Sequence, residues 1–110
     1  QPRFLNAVCE VQTELLPRQL LEMLLQTELE MGRVRLRRWG ERIIDLDLLF
    51  YGSEIINEPD LTVPHPDMQN RDFVLRPLAE IAPDKVHPLL HKTIGQLWQE
   101  YLEKKDTNEV

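Results

Sequence analysis

Two aspartates interrupt an otherwise apolar run, Ile43-Ile44-Asp45-Leu46-Asp47-Leu48-Leu49-Phe50. The spacing predicts a central strand over residues 42–51. Ile44, Leu46, Leu48 and Phe50 would point to one face, and Ile43, Asp45, Asp47, Leu49 and Tyr51 to the other. Carboxylates at i and i+2 then leave one face roughly 6–7 Å apart along the strand. Aspartate is depleted in strands, and two like charges on a mostly buried element repel each other and resist desolvation. A divalent cation removes both difficulties, and magnesium prefers one or two carboxylates together with substrate phosphates. The alternative is a solvated outer face with two surface aspartates. The strand alone does not choose between them.

Just before this run lies a basic loop, residues 32–41. Of the nine arginines in the chain, five (Arg33, Arg35, Arg37, Arg38 and Arg42) stand between positions 33 and 42, with no lysine among them. Guanidinium groups present a planar fork suited to phosphate oxygens. The formal net charge is −6. That weighs against a nucleic-acid binder and makes the cluster a local anion site. Taken alone the loop also fits a solvated basic surface. Beside Asp45 and Asp47 it fits a metal–polyphosphate site, with Trp39-Gly40 either a lid over substrate or a surface anchor. His65, held between Pro64 and Pro66, is either a fixed binding group or a loop histidine without a role. Arg71 offers one more phosphate contact, and Phe73 reads by its side-chain type as core. His87 and His91 have no carboxylate or cysteine at zinc spacing. The single cysteine, Cys9, excludes an intramolecular disulfide and reads as a small core residue. The chain has no P-loop, no GxGxxG and no GxSxG motif.

Hydrophobic content of 42% and charged content of 29% over 110 residues suit one packed domain. A strand is expected over 4–13, with Leu5, Ala7, Cys9 and Val11 inward and Phe4 and Asn6 together on the opposite face. A helix is expected over 17–31, with Pro17 opening it, Leu20, Leu21, Leu24, Leu25 and Met31 as its apolar stripe and Gly32 just past its end. Residues 54–57 read as a brief edge strand and 62–66 as a stiff extended segment. One helix or two short ones follow over 67–81, capped by Asp67, apolar at Phe73, Leu75, Leu78 and Ile81, and interrupted or restarted by Pro77. A last helix over 93–101 is capped by Thr93 and buries Ile94, Leu97 and Trp98. Residues 103–110 read as a charged, frayed tail. Interleaved strands and helices give α+β or α/β. No apolar run reaches the ~20 residues needed to span a bilayer, and no secretory pattern opens the chain, so a cytoplasmic location is expected.

Taken together, Arg33-Val34-Arg35-Leu36-Arg37-Arg38-Trp39-Gly40-Glu41-Arg42-Ile43-Ile44-Asp45-Leu46-Asp47 resembles the signature of the hydroxymethyldihydropterin pyrophosphokinases. Co-linear matches flank it. Gln1-Pro2-Arg3-Phe4-Leu5-Asn6-Ala7 resembles the family's pterin-side strand, and Glu28-Leu29-Glu30-Met31-Gly32-Arg33 the end of its second helix. Leu61-Thr62-Val63-Pro64-His65-Pro66 and Met68-Gln69-Asn70-Arg71-Asp72-Phe73 resemble its late active-site loop. The likeness runs from residue 1 to about residue 83.

The resemblance implies a ferredoxin-like α+β sandwich, its helices packed on a mainly antiparallel sheet. It also implies transfer of diphosphate from ATP to 6-hydroxymethyl-7,8-dihydropterin in folate biosynthesis, with release of AMP. Asp45 and Asp47 would hold two magnesium ions, and Arg33, Arg42 and Arg71 would meet phosphates. Arg35 and Trp39 would lie on the mobile loop, with Glu28, Thr62 and His65 also toward ATP. Asn6 would hydrogen-bond the pterin, whose ring would stack between Phe4 and Phe73; this recasts Phe73 as a ligand platform.

The family's opening strand, Gly-Ser-Asn turn, first helix and pterin-side loop have no counterpart in this sequence, and Glu41 stands where many members have proline. Residues 1–103 are thus expected to form a partial pyrophosphokinase domain, with 104–110 as the tail. The absent strand would leave a sheet edge exposed. The full-length family is expected to be monomeric; exchange of a strand between molecules is one remedy for the shortened chain. Competing readings are a magnesium–nucleotide binding module without turnover, a metal-dependent nuclease or polymerase-like domain, and a structural domain with no ligand. Nucleic acid and membrane are not expected partners.

Overall fold

The computed structural model describes residues 6–35 and 45–108, with side-chain surroundings over 6–32 and 45–106. Chain order is α1 (Pro17–Arg35), β1 (Ile56–Glu58), β2 (Leu61–Val63), a 3-10 turn (Met68–Asn70), α2 (Asp72–Ile81) and α3 (Ile94–Asn108). This is an α+β architecture. β1 and β2 form an antiparallel hairpin in the register Ile56↔Val63, Asn57↔Thr62, Glu58↔Leu61. Pro59 and Asp60 make its turn. Positive φ occurs among the described residues only at Gly52 and His91, so this is not the primed turn that matches strand twist. Each strand is three residues long.

The core lies where α2, α3 and the 3-10 turn meet. Met68, Val74, Leu75, Leu78, Ile94 and Leu97 are buried together, with Val8, Leu49, Phe50, Ala79, Trp98 and Tyr101 packed against them. α3 starts at a complete capping box. The Gln96 N–H donates to Thr93 Oγ1 at 3.1 Å, and the Thr93 N–H donates to Gln96 Oε1 at 2.7 Å. α1 starts with half of one, the Leu16 N–H donating to Gln19 Oε1 at 2.9 Å, and Pro17 fills the first helical position. Among the described residues, no helix is long and apolar enough to cross a membrane.

Several sequence expectations are corrected. α1 does not end before Gly32 but runs through it to Arg35. Of its apolar stripe, Leu20 is buried, Leu21 and Leu24 are half-buried, and Leu25 and Met31 are exposed. The strands expected over 4–13 and 42–51 form no ladder within their described parts, 6–13 and 45–51. Ala7, Cys9 and Val11 are exposed, while Val8 packs on the core. A period-2 pattern names two faces, but only a covered neighbour decides which one is inward. The helical stretch after Pro66 breaks at Arg71, not at Pro77, which stays inside α2. Pro77 removes the hydrogen bond to the Phe73 carbonyl, and Phe73 is on the exposed side, where water can satisfy that carbonyl. Asp67 makes no side-chain cap bond; its Oδ1 accepts from Asn70 Nδ2 at 2.8 Å instead. Ile81 is exposed, and α3 continues through the expected tail to Asn108.

Candidate functional site

Residues 45–50 form a connection outside helix and strand that is bonded at two backbone groups. The Leu46 N–H donates to Glu28 Oε2 on α1 at 2.5 Å. The Leu49 carbonyl accepts from the His65 N–H at 2.8 Å. Farther on, the Tyr51 hydroxyl donates to the Leu15 carbonyl at 2.5 Å. α1 is therefore tied to the segment near both ends. Where a sheet ladder was expected, two backbone groups of the segment, the Leu46 N–H and the Leu49 carbonyl, are paired instead by a side chain and by a loop N–H.

Between the anchors the side chains alternate. Asp45 and Asp47 are exposed, and Leu46 and Leu48 are half-buried. The two acids thus share the outer face, as their spacing requires, but not on an interior strand. The desolvation argument for a metal does not apply to them; like-charge proximity and accessibility do. Among the described residues no group of three or more histidine, cysteine, aspartate or glutamate side chains could hold an ion, so no cage built from protein ligands alone is present there. The donor set that remains, two accessible hard carboxylates, fits magnesium, which completes its shell with water and substrate oxygens.

A second group is linked to the first through His65. The Asp67 N–H lies 3.4 Å from His65 Nδ1, which accepts, so the proton of the neutral ring is placed on Nε2. The Asp67 carboxylate pairs with Arg71 at 3.7 Å. The Arg71 guanidinium stands 5.8 Å from the centroid of Phe73. That ring is 47% exposed, which overturns its reading as core. Glu28 and His65 thus bond to the backbone of the segment that carries Asp45 and Asp47, and His65, Asp67, Arg71 and Phe73 follow one another in contact at the start of α2. Thr62 is outside these contacts, its hydroxyl donating across the hairpin to the Glu58 carbonyl at 3.4 Å. Asn6 is exposed on the N-terminal segment. Phe4, Trp39 and Arg42 lie outside the described residues, and Arg33 and Arg35 are described only as backbone within α1.

Sequence reasoning missed the underside of the site. His87 is 3% exposed, and its Nδ1 accepts from the Leu89 and Leu90 N–H groups at 3.2 and 3.1 Å. Its ring meets Phe50 edge-on at 5.7 Å. Burial pushes its pKa below the ordinary imidazole range. Ligand spacing could exclude zinc at His87, but it carries no signal for a histidine used as a backbone acceptor.

The model of the 7,8-dihydro-6-hydroxymethylpterin-pyrophosphokinase family matches residues 1–83. The 2-amino-4-hydroxy-6-hydroxymethyldihydropteridine pyrophosphokinase of Haemophilus influenzae is 59% identical over 88 residues, 80% of this chain and 55% of that protein. The Synechocystis protein of the same name is 52% identical over 97 residues, 88% of this chain and 50% of that one. The folic acid synthesis protein FOL1 of Dictyostelium discoideum is 47% identical over 97 residues, but the match covers only 15% of its length. The chain spans about half the length of the first two relatives. With most of its residues matched by the family model, the chain is a member of the 7,8-dihydro-6-hydroxymethylpterin-pyrophosphokinase family.

Proposed function

We propose that the protein acts in folate biosynthesis, transferring diphosphate from ATP to 6-hydroxymethyl-7,8-dihydropterin. The pterin hydroxymethyl oxygen attacks the β-phosphorus, loses its proton and displaces AMP. The observation that carries this reading is the pair of accessible carboxylates, Asp45 and Asp47, on a segment tied to Glu28 and His65 in a chain of this family. Such transfer depends on positioning and charge neutralisation rather than on a protein nucleophile. Asp45 and Asp47 hold magnesium, two ions in this reading; when bound, the metal neutralises phosphate charge. Arg71, with Arg33 and Arg42, meets the phosphates, and Arg35 and Trp39 belong to the covering loop. Glu28 and Thr62 line the ATP side. His65 offers Nε2–H to a phosphate oxygen, since its Nδ1 already accepts from Asp67. Asn6 hydrogen-bonds the pterin edge, and Phe4 and Phe73 sandwich the ring; the exposure of Phe73 supports this.

The same reading extends to a ferredoxin-like sheet, a pyrophosphokinase domain that includes residues 1–103, a monomeric full-length form and a cytoplasmic location. The test is AMP formation by the purified protein from ATP, magnesium and hydroxymethyldihydropterin. AMP appearing only when the pterin is present is the expected result. Magnesium-dependent nucleotide binding without AMP would overturn the transferase reading and leave a binding module.

A further inference from the structure

The 45–50 segment is held from beneath by a hairpin, residues 85–94, to which the site as read above gives no role. Val86 and Thr93 bridge across it. The His87 N–H donates to the Lys92 carbonyl and the Ile94 N–H to the Lys85 carbonyl, each at 2.8 Å. His87 fixes the far end through its two backbone donors, and His91 turns the chain there with φ of 58°. From this frame Lys85 reaches the site segment at two points. Its ammonium donates to the Gly52 carbonyl at 2.6 Å and stands 5.0 Å from the centroid of Phe50. A cation over an aromatic face is attracted by the ring quadrupole, so one group grips both the ring and the turn that follow Asp47. Gly52 has φ of 57°, so its carbonyl is presented by a turn that a bulkier residue resists.

We propose that Lys85 is a positioning residue for the metal site, setting the placement of Asp45 and Asp47 through Phe50 and the Gly52 carbonyl. This rests on the reading that those carboxylates hold magnesium beneath a nucleotide. Chelation by two side chains requires both at one mutual placement. In a segment with no ladder of its own, that placement comes from anchors: Glu28 at Leu46, His65 at Leu49, and Lys85 at Phe50 and Gly52. Lys85 touches neither acid and is not a ligand in this proposal. Loosening its grip makes the ordering of the pair a cost of binding the ion.

Lys85→Met keeps the stem and removes the donors and the charge; Lys85→Arg keeps both. The chain is titrated calorimetrically with a non-hydrolysable ATP analogue, with and without magnesium. The broadening of the residue 45 and 47 amide resonances by Mn²⁺ alone is followed by NMR. Lys85→Met is expected to weaken the magnesium-dependent affinity about tenfold, the low end of what loss of an outer-shell partner costs. Magnesium-free affinity should stay as it is, the Mn²⁺ concentration for half broadening should rise, and Lys85→Arg should restore both. Equal magnesium-dependent affinity and equal broadening in wild type and Lys85→Met would overturn the inference. So would a parallel fall with and without magnesium, which marks general loosening of the fold. If the wild type itself shows no gain from magnesium and no broadening at residues 45 and 47, the metal reading fails and takes this inference with it.

Discussion

Asp47 separates a ligand-holding site from a decorated surface because its two consequences diverge. It is exposed, and it shares a face with Asp45 on a segment fixed by Glu28 and His65. Surface substitutions away from a packed feature change stability by less than about 0.5 kcal/mol. Loss of an outer-shell partner alone costs about 10–100-fold in metal affinity. Asp47→Asn is therefore expected to leave the melting temperature nearly unchanged while magnesium-dependent nucleotide affinity falls by about 100-fold or more. Calorimetry and a thermal melt on one preparation read both, and intact binding would remove Asp47 from the metal site. The pairing of the two acids was legible from their spacing alone. Their exposure was not, because an apolar run states that a segment packs against something without stating how deeply. Phe73 teaches the converse: residue type placed it in the core, and only the resemblance pointed to a ligand.

At the scale of elements, what the sequence revealed tracks how local the determining physics is. The Thr93–Gln96 reciprocal pair marks the start of α3 within four residues, and Pro17 marks that of α1. Both starts were read correctly. Strands depend on partners distant in sequence, so the alternation over 42–51 could name two faces without supplying a neighbour. Helix ends lie between these cases. Gly32 resembled a C-terminal stop, yet it sits within α1, and among the described residues nothing beyond its chain neighbours and the helix's own backbone lies within 4 Å of where a Cβ would be. Gly95, in the first turn of α3, differs: a Cβ there would lie 3.3 Å from the Pro83 carbonyl oxygen, which accepts the Gly95 N–H at 2.9 Å. Gly32→Ala is therefore expected to stabilise by roughly 0.5–1 kcal/mol through helix propensity. Gly95→Ala is expected to destabilise by about 1 kcal/mol as that hydrogen bond is strained. Denaturant unfolding of the two variants should shift in opposite directions, and a stabilising Gly95→Ala would show that the Pro83 carbonyl yields freely.

Over the whole molecule, the radius of gyration is 15.8 Å, against about 13 Å for a compact chain of this length. α1 is covered sparsely, with Leu20 its one buried side chain among those described and Leu29 61% exposed. Cohesion is concentrated around α2, α3 and the 3-10 turn, and His87 is buried in the 85–94 hairpin with its ring against Phe50, which packs on that core. Its pKa is lowered chiefly by burial, with a smaller contribution from His91. The unfolded chain therefore binds more protons than the folded one once pH drops toward 6.5, and the stability gained from the neutral ring is lost on acidification. Protonation also removes the Nδ1 acceptor on which the Leu89 and Leu90 N–H groups depend. This loss begins well above the range of Asp60, whose carboxyl is held below the usual range by its hydrogen bond to Arg18 and which adds its own stability loss only at lower pH. His87→Asn places an oxygen near the Nδ1 position and cannot titrate. Melting temperatures at pH 7.5 and 5.5 should drop between the two conditions in the wild type and drop less in His87→Asn. His87→Leu, which lacks any acceptor, should be less stable than both at pH 7.5. An equal drop in wild type and His87→Asn would show that the acid sensitivity resides elsewhere, because the variant has no group at this site that takes up a proton in this range.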